Sequence, residues 1–296
     1  MRKKNLVSVL CLLGLFLSKA QRHEIGMFAG NINIVGDIGE TNYVLQGTTT
    51  VKQGTRLGLP ITLGILYRMN FNPYQTLRFD LGYSNVKFID EASDENYRKQ
   101  RYNSESNTLY NLDAIFEYYF LPVNDEQRAM LSPYIFGGVG ALVYNSWNMS
   151  LDFRNKNLID TVGNFVQPSG SDDAYRKPIR ESGNNMTLSI PFGVGVKYKF
   201  NYNWALFAEV LFRPTFTDEI DYSVISDKNV RVLYDKDEVK RIRGNKNGLS
   251  SDEIHQIIQP YIDSYKIGNL KSKDWVNNIS VGVSYSFGRP PCYCEK

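Results

Sequence analysis

Two histidines, an acidic run and a pair of cysteines are the residues of this 296-residue chain whose types could do chemistry. His23 and His255 are the only imidazoles, hence the only ready general bases or zinc ligands. A hydrolytic site needs a nucleophile, a base and an orienting group that converge. Neither histidine lies in a Ser-centred elbow or a His-Glu zinc pattern. One catalytic arrangement stays open, His255 with an Asp or Ser of its own loop, against the plainer reading of a solvated loop histidine. The run Asp90-Glu91-Ala92-Ser93-Asp94-Glu95 offers carboxylate oxygens of the kind Ca²⁺ takes, but it lacks the regular ligand spacing and turn glycine of a dedicated loop. Arg98, Lys99 and Arg101 follow at once, so a solvated loop of mixed sign is the expectation. The formal net charge of +3 gives no nucleic-acid footprint. No cofactor, metal or catalytic residue is implied.

A different kind of chemistry emerges from spacing. Arg68, Arg78, Asp80, Asp113, Glu117, Lys197, Glu209 and Arg213 all fall on one parity of segments that alternate with period two. From Leu57 the odd positions read Leu59, Ile61, Leu63, Ile65, Tyr67 and Met69. Across 186–200, Met186, Leu188, Ile190, Phe192, Val194, Val196, Tyr198 and Phe200 face away from Thr187, Ser189, Pro191, Gly193, Gly195, Lys197 and Lys199. Segments 76–88, 108–120, 204–216 and 275–287 fit the same template, and 23–34 and 133–145 are Gly-rich with weaker alternation. Both leading stretches exceed the roughly 9–11 residues a tilted strand needs to cross a bilayer.

The connections decide the architecture. Tight or moderate links at 70–75, 121–131 and 201–203 alternate with long polar ones at about 35–56, 89–106, 147–185 and 217–273. Short turns on one side and long loops on the other are the signature of an outer-membrane barrel. A soluble sandwich, the competing architecture, has no reason to put every long loop at one end. The expected fold is an all-β transmembrane antiparallel up-and-down barrel of about eight strands, with long external loops and short periplasmic turns. Twenty tyrosines and sixteen phenylalanines at a mean hydropathy of −0.35 suit that class, because rings crowd the interfaces while the lumen stays polar. An eight-stranded lumen is only wide enough for side chains to fill, so the charged set is expected to pair into a plug. The expected pairing neutralises Arg68, Arg78, Lys197 and Arg213 with Asp80, Asp113, Glu117 and Glu209.

Three further expectations concern the ends and the last loop. Arg2, Lys3 and Lys4, an apolar Leu6–Leu17 and Ser18-Lys19-Ala20 read as a signal peptide over 1–20, cleaved near Ala20, with the barrel over 21–287 and a periplasmic tail over 288–296. Ser250 with Glu253 opens a helix, kinked or started late at Pro260, whose face carries Ile254, Ile257, Ile258, Tyr261 and Ile262, to be packed on the barrel rim or offered to a partner. The basic run Lys236–Lys246 could meet lipopolysaccharide phosphates, though Asp235, Asp237 and Glu238 dilute it. Cys292 and Cys294 are too close in sequence to bridge each other easily, and in an oxidising periplasm they point to an intermolecular disulfide.

The stretch His23-Glu24-Ile25-Gly26-Met27-Phe28-Ala29-Gly30, leading to Gly36-Asp37-Ile38-Gly39-Glu40-Thr41-Asn42-Tyr43, resembles the start of PorG-like proteins, outer-membrane components of the Bacteroidetes type IX secretion system. Tyr97-Arg98-Lys99-Gln100-Arg101 and the ending Ser286-Phe287-Gly288-Arg289-Pro290-Pro291-Cys292 are also similar to that family, whereas the helix-bearing last loop departs from it. The resemblance implies a non-enzymatic barrel that ties the periplasmic ring of the secretion machine to the outer membrane. It also implies a ring lipoprotein as the acceptor for Cys292 or Cys294. The alternative function is a stand-alone surface protein, an adhesin or envelope stabiliser, acting through its external loops.

Overall fold

The computed structural model describes residues 22–45, 59–101, 103–124, 129–244, 248–269 and 272–288. The signal-peptide segment 1–20 and both tail cysteines lie outside the described residues. Among the described residues ten strands are present: β1 (Arg22–Val35), β2 (Ile61–Asn72), β3 (Gln75–Ile89), β4 (Ser104–Tyr119), β5 (Met130–Asp152), β6 (Ile179–Ser189), β7 (Phe192–Lys199), β8 (Trp204–Phe212), β9 (Val230–Leu233) and β10 (Trp275–Phe287). Two longer helices follow β9 in the last loop, α1 (Lys236–Arg243) and α2 (Ser251–Tyr265).

The strands close on themselves. β4, β3, β2, β1, β10, β8, β7 and β5 pair in that order, and β5 returns to β4, so the sheet is a ring with antiparallel neighbours throughout. The β6–β7 stretch makes a single crossing: β6 pairs with the upper part of β5, and β7 with its lower part. Eight spans result. The alternation read from sequence sets the faces. Leu63, Ile65, Leu81, Leu112, Val139, Val194, Leu206 and Val281 are exposed on the outside, while Thr62, Arg68, Arg78, Asp80 and Glu117 are buried inside. A closed ring with an apolar outer face, its backbone groups paired from strand to strand, is the β solution to crossing a bilayer. The spans are therefore transmembrane.

Three features depart from the sequence-based expectation. The strand expected to run unbroken over 186–200 is split at Ile190 and Pro191. Proline has no N–H to give the ladder, and the Pro191 carbonyl instead accepts from Gly138 N at 2.8 Å. The third long loop is shorter than 147–185, because β5 runs 23 residues. At about 3.3 Å per residue such a strand rises well past a hydrocarbon core of about 30 Å. Its upper end pairs with Ile179–Asn185 of β6 and, in parallel, with β9. The protruding segment keeps the alternation, with Trp147, Met149 and Leu151 opposite Asn148, Ser150 and Asp152, but its apolar face packs into protein instead of lipid. Finally, α2 runs through Pro260 without a late start.

Replacing Val194 or Val281 with Arg places a guanidinium in mid-membrane at a cost of about 2–4 kcal/mol. Each variant should show less of the fast-migrating unboiled band on gels than wild type. Thr187→Ser should be neutral, whereas Ser284, whose hydroxyl donates to Glu24 at 3.0 Å, is not a neutral position.

Candidate functional site: a charged plug, an external cap and a buried acid cluster

Inside the ring the charged residues meet. The Arg68 Nε of β2 donates to both Glu117 oxygens of β4, at 3.1 and 3.0 Å. The Arg78 Nη1 of β3 donates to Glu117 and to Glu209 of β8, each at 2.8 Å, and its Nε lies 3.0 Å from Asp80. Arg213 reaches Asp113 at 2.5 Å. Hydroxyls complete the acids: Tyr119 donates to Glu117 at 2.5 Å and Tyr134 to Glu209 at 2.9 Å. Aromatic faces cover the cations, with Phe207 4.5 Å from the Arg68 guanidinium and Phe136 5.0 Å from that of Arg78. Arg68, Arg78 and Glu117 have 0% exposure. Glycine at 140 leaves space for Asp113, since a Cβ there would collide with its Oδ1.

One member of the plug escaped the sequence reading. Lys197 pairs with Glu24 of β1 at 2.7 Å, not with the four expected acids. Glu24 also accepts from Asn70 and Ser284, at 2.9 and 3.0 Å. The signal was available, because Arg22 and Glu24 alternate with Ile25 and Met27, but the glycines that follow weakened it. His23 lies at the short-turn end of β1, its Nδ1 2.8 Å from the Tyr67 hydroxyl.

The second assembly stands beyond the barrel at the long-loop end. The α2 face buries Ile257, Ile258, Tyr261 and Ile262, with Ile254 half-buried beside them, against Leu151, Phe153, Leu158, Val230 and Val239. The helix stripe thus packs into a core of its own, built on the protruding end of β5 rather than on the rim. Ser250 and Glu253 form a capping box, with Ser250 N donating to Glu253 at 2.7 Å. Arg243 at the end of α1 clasps Glu253 at 2.6 Å, and that hydrogen bond holds the Glu253 carboxyl down at about 2. So part of the basic run serves α1–α2 packing; 245 and 246 lie outside the described residues. His255 is exposed, and its Nδ1 lies 3.4 Å from Asp227.

The 90–101 loop is not simply solvated. Asp90 is buried and accepts from Gly39 N at 2.9 Å, and Arg101 lies 3.2 Å from it. Arg98 donates to the carbonyls of Gly36 and Gly39, at 3.1 and 3.0 Å. These contacts hold the segment 36–40 from one side, where Gly39 takes φ of +99°, a conformation that favours glycine. From the other side Asp221 accepts from Asp37 N and Ile38 N, at 2.7 and 2.9 Å. Asp274 accepts from Ile220 N at 2.9 Å. Burial, then the neighbouring Asp221 and Asp37, pushes the Asp218 carboxyl up to about 7. Burial raises Asp221 as well, and burial with the Asp221 and Asp218 charges raises Asp274 well above the usual carboxylate range. Sequence reasoning missed this cluster because its members come from loops with no period.

Nothing among these groups assembles a nucleophile with a base; the plug holds charge still, and the cap holds apolar surface. Glu117→Gln should cost a few kcal/mol, since it takes from buried Arg68 its close carboxylate and from Arg78 one of three, and should lower the temperature at which the unboiled band is lost. Ile257→Ala should cost about 2–5 kcal/mol within the cap. Limited proteolysis should then open the last loop while the unboiled barrel band persists.

Solved structures with similar strand arrangements include a major outer membrane protein from Thermus thermophilus, with 12% identity, 90% of this chain and 100% of that one covered, and a TM-score of 0.40. Others are the outer membrane protein OprG from Pseudomonas aeruginosa (11%, 92% and 98%, TM-score 0.36) and Ail, the attachment invasion locus protein of Yersinia pestis (10%, 90% and 99%, TM-score 0.38). No curated protein matches the chain in sequence. The model of a domain family of unknown function, DUF6089, matches residues 3–162, more than half of the chain, and the protein belongs to that family.

Proposed function

We propose that this barrel resides in the outer membrane, catalyses no reaction, and anchors the periplasmic ring of the type IX protein secretion machinery to that membrane. The observation that carries the reading is the filled lumen. A ring sealed by Arg68, Arg78, Glu117 and Glu209 holds a position in the bilayer and offers no route for cargo. The resemblance of residues 23–30 and 36–43 to PorG-like proteins supplies the machine. β10 ends at Phe287, beside His23 at the short-turn end; on this reading that end is periplasmic, and the tail carrying Cys292 and Cys294 follows it. On this reading one of those cysteines forms a mixed disulfide with the ring lipoprotein, whose acyl anchor keeps it at the same leaflet. Lipid and lipopolysaccharide surround the barrel.

A second reading, a surface protein acting through its loops, draws support from the external cap, which has a core independent of the barrel. A deletion strain separates the two: lost cargo secretion supports the anchor, and retained secretion with lost attachment supports the surface role. Non-reducing gels of native membranes should show a heavier adduct that collapses with reductant. Replacing both cysteines with Ser should abolish the adduct and weaken ring attachment while the barrel still assembles. Normal secretion in that double variant, with no adduct in wild type, would remove the covalent anchor.

A further inference from the structure

At the outer end of the seam between the first and last strands, three aspartates are buried together. Asp221 and Asp274 have 0% exposure and Asp218 has 5%. The Asp274 Oδ1 and Asp218 Oδ1 atoms are buried with no hydrogen-bond partner. Leaving a buried carboxylate oxygen unpaired is costly, so two such atoms in one cluster need a reason. The direction in which Asp274 points supplies one. The place a Cβ would occupy on Gly36 lies 2.5 Å from Asp221 Oδ2 and 2.6 Å from Asp274 Oδ1. Two carboxylates from opposite ends of the last long loop therefore turn an oxygen each toward one spot beneath Gly36, and a side chain there would exclude them.

Among the described residues no cation of the chain is seen to take up that charge. The Asp221 oxygens are met by neutral main-chain N–H groups, those of Asp37, Ile38 and Ser223, at 2.7 to 2.9 Å. Arg98 is turned to the carbonyls of Gly36 and Gly39, and Arg101 to the Asp37 carbonyl and to Asp90. Lys273 is exposed and acts on Asp218. Asp37 is buried beside the cluster and adds negative charge that acts on Asp218, and Glu219 is engaged by the Tyr144 hydroxyl at 2.7 Å. The donor set is all oxygen and hard, which suits Ca²⁺ rather than zinc or copper.

We propose that Asp221 and Asp274 bind one Ca²⁺ ion beneath Gly36, with Asp218 adding negative charge nearby, so that the ion pins the start of the first long loop to the 217–223 segment and the start of β10. Among the described residues no three metal-ligating side chains converge within coordinating reach. The ion thus takes two carboxylates and completes its shell with water and main-chain oxygen, which the flexible coordination of Ca²⁺ allows and Mg²⁺ resists. Few-carboxylate sites of this kind suit an extracellular module, with dissociation constants of about 10⁻⁴–10⁻³ M.

The test uses the full-length protein in detergent, stripped with chelator, and Tb³⁺ as probe. Trp275 and Tyr222 adjoin Asp274 and Asp221 in sequence, so ring excitation should sensitise a bound lanthanide. Saturable luminescence displaced by Ca²⁺ is expected, together with a higher melting temperature in Ca²⁺ than in chelator. Asp274→Asn keeps one oxygen for Ile220 N and should weaken Ca²⁺ binding by more than about tenfold, the scale seen even for supporting residues of metal sites. Its unboiled band should be normal. Should that variant fail to assemble, Asp221→Asn is read in the same way. Wild-type protein with no saturable luminescence, or with no Ca²⁺-dependent melting shift, overturns the proposal, as does binding that survives in the assembled variant.

Discussion

The hydrogen bonds between β1 and β10 join the first described strand to the last and turn a sheet into a ring. Thirteen residue pairs, from His23 with Phe287 to Val35 with Trp275, make that junction. In hydrocarbon each backbone group left without a partner costs several kcal/mol, so an open version of this sheet would expose two such rows to lipid. Everything else follows from the ring staying shut. Closure fixes register, and register fixes which residues face inward. A slip of one position would carry Glu24 into the lipid and Ile25 into the lumen.

Closure also sets how much room is left. Eight spans enclose a channel that side chains can fill, and here they fill it with arginine, carboxylate and phenol. Such a network is not a stability bonus over an apolar filling, because both partners of each pair were taken out of water. What it supplies is intolerance of partial solutions: Arg78 meets Asp80, Glu117 and Glu209 at once, and those acids come from three different strands. The plug therefore reports on the correct placement of strands far apart in sequence.

Most of the ring was legible in the sequence, since period-two alternation needs no tertiary knowledge: Leu63 to Met69 outward and Arg68 inward follow from counting. The helix at Ser250 was legible through its capping box. What could not be read has physical reasons. β5 outgrows the membrane: Trp147, Met149 and Leu151 still alternate with polar residues, but their face meets the cap core, and only the fold shows that. β9 is a parallel addition of four residues, too short to leave a pattern. Pro191 was visible as a proline, but only the ladder shows that it divides the span. Glu24 hid among glycines, and Asp218, Asp221 and Asp274 are ordinary loop acids until the fold buries them. The acidic run drew attention for its density, yet Asp90 is the member that matters structurally, bonded to Gly39 and Arg101.

The position of Glu24 bears on how the molecule is made. Its carboxylate belongs to the first strand, its cation Lys197 to the seventh, and a further donor, Ser284, to the tenth. Until the chain's two ends meet, Lys197 stands in the lumen without its carboxylate. An unfinished barrel consequently keeps a hydrated, charged interior and is held from sinking fully into lipid. The step that satisfies the last backbone groups is the same step that neutralises the ammonium, so closing the wall and completing the interior become one event.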